Sequence, residues 1–92
     1  DRHSAYLKVP TTAGSLSTVV HAGAVAGAEI VIPTALTGTV KVYNGATGAG
    51  NLVLDLPVGT IGNWRVPSDL GTSLRIDTTL ADNVSVFYSP TT

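Results

Sequence analysis

Cysteine is absent from the 92 residues, and so is methionine. Without thiols the fold has no disulfide and no thiolate metal site, so a chain this short needs another source of support. Charge is scarce as well. Five Lys and Arg and six Asp and Glu make up 12% of the chain and leave a net charge of −1, about half the usual charged share. No basic stripe exists to attract nucleic acid, and that partner is not expected. Nor does any run approach the roughly eighteen apolar residues of a membrane span. The apolar stretch 19–25 is broken by His21 and Gly23, and no membrane partner is expected. So few charges do little to keep small domains apart, which points to self-association or docking on a larger body.

What is present is alternation. Residues 38–56 read GTVKVYNGATGAGNLVLDL. Val40 and Val42 share one face with Lys41 opposite, and Leu52, Leu54 and Leu56 share one face with Asn51 and Asp55 opposite. Period two is what a half-buried strand requires, because successive side chains leave a pleated backbone on opposite sides. The joining loop is small and flexible in composition, and reads as a projecting hairpin tip.

The same pattern recurs at intervals of about ten residues. Candidate strands are 16–21, 28–32, 39–43, 51–56, 62–66, 72–77 and 83–89, each bounded by Gly, Pro, Asn or Asp. Gly23 and Gly27 argue against a helix over 22–28, which reads as a connector. The expected fold is all-β: a small antiparallel β-sandwich or barrel, jelly-roll or immunoglobulin-like, of about seven short strands. Residues 16–92 form its single domain. Residues 1–15 read as an extended arm, with an edge strand at 5–9 as the alternative.

The inward set is Leu16, Val20, Ile30, Ile32, Val40, Val42, Leu52, Leu54, Leu56, Leu74, Ile76, Val84, Val86 and Tyr88. The opposite faces carry Thr18, Glu29, Lys41, Asp55, Arg75, Asp77 and Ser85. They also carry Val19, Val31, Val53 and Phe87, which would mark an interface if they converged. With Tyr6 and Leu7 of the arm, and with Tyr43, Trp64 and Arg65, these are the candidate contact residues.

Motifs with catalytic or ligand chemistry fare poorly. The loop 45–50 resembles a phosphate cradle in its glycines, but a strand follows it, with neither a helix N-terminus nor a Lys to meet the anion. His3 and His21 lack a nucleophile-elbow context for a Ser-His-Asp triad. His21 reads as a strand-end residue bonding to backbone. Asp69, Asp77 and Asp82 have no calcium-loop spacing, and Asp69 and Asp82 read as turn residues. No cofactor and no enzymatic activity are expected. Trp64-Arg65 is the most distinctive pair, with three readings: a core Trp, a subunit contact, or a sugar-stacking platform with Tyr43.

The order of these signals resembles a group of small virion proteins of tailed phages. A Gly precedes a short strand ending in an aromatic and Asn, here Gly38-Thr39-Val40-Lys41-Val42-Tyr43-Asn44-Gly45. A small-residue loop then leads into Gly50-Asn51-Leu52-Val53-Leu54. A Leu-Gly pair leads Leu70-Gly71-Thr72-Ser73-Leu74-Arg75-Ile76, and a closing strand, Val84-Ser85-Val86-Phe87-Tyr88, ends in Tyr. The resemblance spans about 16–89. It implies a β-sandwich that decorates or cements a capsid surface, binding the major capsid protein and itself as a homo-oligomer, a trimer before a dimer. The alternative is a carbohydrate- or receptor-binding module of a fibre or tail.

Overall fold

All seven alternating stretches become strands, and an eighth precedes them. A computed structural model describes residues 3–92 of the chain. Its strands are β1 (Ala5–Lys8), β2 (Leu16–His21), β3 (Val25–Ile32), β4 (Val40–Tyr43), β5 (Leu52–Leu56), β6 (Gly62–Arg65), β7 (Leu74–Thr78) and β8 (Ser85–Pro90), and no helix occurs among the described residues. The radius of gyration, 11.8 Å, matches the ~12 Å of a single folded unit of this length.

The strands form two four-stranded sheets, β1-β8-β3-β6 (sheet A) and β2-β7-β4-β5 (sheet B). All pairings are antiparallel. Only β4–β5 is a hairpin between neighbours within one sheet; every other connection passes from one sheet to the other. Eight strands wrapped in this order make a jelly roll, and the immunoglobulin arrangement, with its ABED and CFG sheets, is excluded.

Between the sheets lies the core. Val20, Ile30, Ile32, Val40, Val42, Leu56, Leu74, Ile76, Val84 and Val86 are buried there as the alternation requires. Leu16, Leu54 and Tyr88 reach it only in part. The chain before residue 16 contributes more than an arm. Its edge strand β1 pairs with β8, and Val9 just beyond it is buried and donates its amide to the Val84 carbonyl at 2.9 Å.

Loops supply core residues that no alternation marks. Leu36 is held by hydrogen bonds to Thr60 and Gly59, while Val25 and Leu70 exchange both backbone bonds at 2.8 and 2.9 Å. Those bonds start β3 three residues earlier than the pattern, and a register shift between Val25 and Ala28 absorbs Ala26 and Gly27. Gly38 is packed so closely that a Cβ there would lie 3.0 Å from the Leu80 amide nitrogen, so a side chain is excluded.

A second irregularity reverses part of β5. Val42 lies opposite Leu54, but Tyr43 lies opposite Leu52, so Val53 is skipped. One extra residue turns the following side chains to the other face. Leu52, expected inward, is therefore 43% exposed, and Val53, expected outward, packs against the core. Thr18 also lies inward, opposite Ile76, because it shares parity with Leu16 and Val20.

Candidate functional site

Residues directly opposite one another in antiparallel strands share a face. In sheet A this rule assembles the outward surface. One row across the four strands is Tyr6, Phe87, Glu29 and Arg65; the next is Lys8, Ser85, Val31 and Asn63. Four of the nine candidate contacts, Tyr6, Val31, Arg65 and Phe87, thus converge on one surface. The Tyr6 and Phe87 rings lie 4.8 Å apart at 46°, a favourable tilted pair. Tyr6 is 53% exposed, and its hydroxyl lies 3.4 Å from Ser85 Oγ. Lys8 Nζ donates to Asn83 Oδ1 at the end of the row.

At the opposite end of this face lies an open cleft of about 500 Å³, lined by His3, Gly27, Glu29, Arg65, Ser68 and Asp69. His3 Nδ1 is 2.8 Å from Ser89 Oγ. The face therefore grades from aromatic at β1 to charged at β6.

Leu7 does not belong to it. Leu7, Val86, Ile30 and Trp64 are opposite one another on the inner side, and Leu7 packs on the core. Trp64 shares that inner side, but β6 is an edge strand and the ring is 42% exposed, with Nε1 donating to the Ile61 carbonyl at 3.1 Å. The core reading of Trp64 is thereby overturned: at the sheet margin no further strand covers the ring. Arg65 beside it faces outward and is exposed.

Sheet B has a different outward surface. Val19 is exposed there, but Tyr43 is 7% exposed and cannot be a sugar platform or free contact. Arg75, expected on a solvated face, is 3% exposed. Its guanidinium lies 4.1 Å over the Tyr43 ring, Nε lies 3.2 Å from Asp77 Oδ1, and a terminal nitrogen donates to the Gly48 carbonyl. The β4–β5 loop is thus folded back over the sheet rather than projecting. Gly48 adopts a φ of 82°, a conformation glycine takes at little cost. Its acceptor faces a cation, the reverse of an anion cradle.

The remaining candidates for chemistry are dispersed. Asp77 accepts from Ser17 Oγ at 2.6 Å beside Arg75. Asp82 accepts from the amides of Thr37 and Gly38 at 2.9 Å each and from Thr37 Oγ1 at 2.8 Å, tying the β7–β8 loop to the β3–β4 loop. Partial burial pushes this carboxyl up, but those hydrogen bonds outweigh it and hold it below its ordinary value. His21 Nε2 meets the Thr92 carbonyl at 3.2 Å, the backbone contact expected of a strand end. Among the described residues no group of three His, Cys, Asp or Glu side chains is placed to hold a metal ion.

No family model, curated protein or solved structure matches the chain.

Proposed function

We propose that this chain is a structural, non-enzymatic virion protein, a capsid decoration or cement protein that binds the major capsid protein and itself. The observation that carries this reading is the outward face of sheet A. Tyr6, Phe87 and Val31 lie there on the adjacent strands β1, β8 and β3, next to Lys8, Glu29 and Arg65. Aromatic side chains and Arg are enriched at protein contacts. The low charge of the chain and its likeness to small phage virion proteins point the same way. Many modest contacts of this kind, repeated by capsid symmetry, add up to strong retention without a deep site. A jelly roll by itself assigns no role, since the fold serves unrelated functions.

Washed virions carrying the wild-type chain should retain it at stoichiometric copy number. The double substitution Tyr6→Asp with Phe87→Asp should release it, while the free chain remains folded by circular dichroism. Absence of the wild-type chain from particles would overturn the reading. A second reading, a carbohydrate- or receptor-binding module of a fibre or tail, draws on the exposed ring of Trp64. As the chain has one Trp, quenching of its fluorescence by a sugar would favour that reading directly.

A further inference from the structure

We infer that β6 is a self-association edge: two copies of this chain pair antiparallel about a two-fold axis, with the two Trp64 side chains opposite each other. The four edges of the sandwich are not equally guarded. The pairings of β2 and β5 are each interrupted by a register shift, and β1 carries Lys8 with Pro10 close behind. Bulges, Lys and Pro are common devices that prevent strand edges from pairing. The register of β6 against β3 runs unbroken from Glu29–Arg65 to Ile32–Gly62. Arg65 and Pro67 stand at its end as Lys8 and Pro10 do at the end of β1, and what sets β6 apart is the exposed ring of Trp64.

The outward hydrogen-bonding groups of β6 can be assigned. The Val66 amide donates to the Ala28 carbonyl at 3.0 Å, and antiparallel ladders alternate strictly. Gly62 and Trp64 therefore turn their backbone groups toward β3. Asn63 and Arg65 turn theirs out of the sheet.

A two-fold pairing must place a residue opposite its own copy. Centred on Trp64, it sets Asn63 opposite Arg65 twice, so the two residues with outward donors and acceptors meet and form four hydrogen bonds. Centred on Asn63, it would recruit Ile61, whose carbonyl already accepts from the Trp64 indole. The Trp64-centred register also keeps like charges apart, since each Arg65 faces an Asn and the two arginines lie at opposite ends. Trp64 then occupies a non-hydrogen-bonded pair, where facing side chains approach most closely. Ile61 and Val58, in the turn before β6, are exposed as well.

This inference does not require the virion role, because it concerns the free chain, whereas copy number on particles tests that role separately. Sedimentation of the wild-type chain from about 1 µM to about 1 mM should show mass rising from 9.4 kDa toward twice that value. The single Trp should shift its emission over the same range. Asn63→Pro removes an amide that faces solvent in the monomer; it should weaken association by about thirtyfold, the equivalent of two lost hydrogen bonds. Trp64→Lys sets two cations on the axis and should abolish pairing. Both variants should keep the wild-type circular dichroism spectrum. A wild-type chain that stays monomeric throughout, forms a trimer, or gives a dimer that survives both substitutions would overturn the inference.

Discussion

Arg65 and Arg75 both stand on outward sheet faces, and only Arg65 reaches water. On sheet B the Gly-rich loop after β4 lies back over the strands, so Arg75 is enclosed between the Tyr43 ring, Asp77 and the Gly48 carbonyl. Among the described residues, sheet A has no such cover. Its row of Tyr6, Phe87, Glu29 and Arg65 remains open at both ends. An enclosed cation with three kinds of partner contributes to folding, whereas an exposed one on an open face contributes to whatever docks there. One outward arginine is part of the fold, and the other is available for contact.

The largest test of this contrast is Arg75→Ala. It removes the cation over Tyr43 and the donor to Gly48, and should cost about 3 kcal/mol in urea unfolding. The β4–β5 loop should lose amide-exchange protection in the same variant. A loss below about 1 kcal/mol would mean that the loop closes the face without the arginine.

Asp82→Asn sharpens the comparison by testing a carboxylate that holds backbone amides without being enclosed. At neutral pH it should cost about 1 kcal/mol, less than Arg75→Ala. The wild-type carboxyl is depressed in the folded state from its ordinary value of 3.8. Its stabilisation is therefore complete above that value and is lost as pH falls through the lower folded value. The variant should show a shallower decline in stability in that acidic window, measured as unfolding midpoint against pH. Equal slopes would remove Asp82 from the account of acid sensitivity.

The smallest expected effect is Arg65→Ala, at under about 0.5 kcal/mol of folding stability. On the proposed docking face it should lower retention on washed particles all the same. If it destabilised the chain as much as Arg75→Ala, the two faces would not differ in the way described.

Legibility in the sequence follows the reach of each signal. Period two is local, so it placed the strands and most of the interior positions of β3, β4, β7 and β8. It failed at Leu52 and Val53 because the register shift opposite Tyr43 is set by pairing between strands. Leu36 and Leu70 were not legible for a related reason: loop residues have no period, and they are buried by bonds to remote segments. Of the contact residues, Val31 and Phe87 were legible as outward side chains and Tyr6 and Arg65 only as candidates without a face, and their convergence depends on the strand order β1-β8-β3-β6.

The sequence by itself determined an all-β fold of short antiparallel strands, sandwich or barrel, a chain without thiols and a surface short of charge, since alternation and composition act through nearest neighbours and totals. Only the tertiary structure decided the jelly-roll wrapping, the burial of Tyr43 and Arg75, and the exposure of Trp64. Those outcomes depend on which strands become neighbours and on where a sheet ends, which are long-range properties. Burial on an outward face depends on what folds over it, and no local pattern encodes that cover.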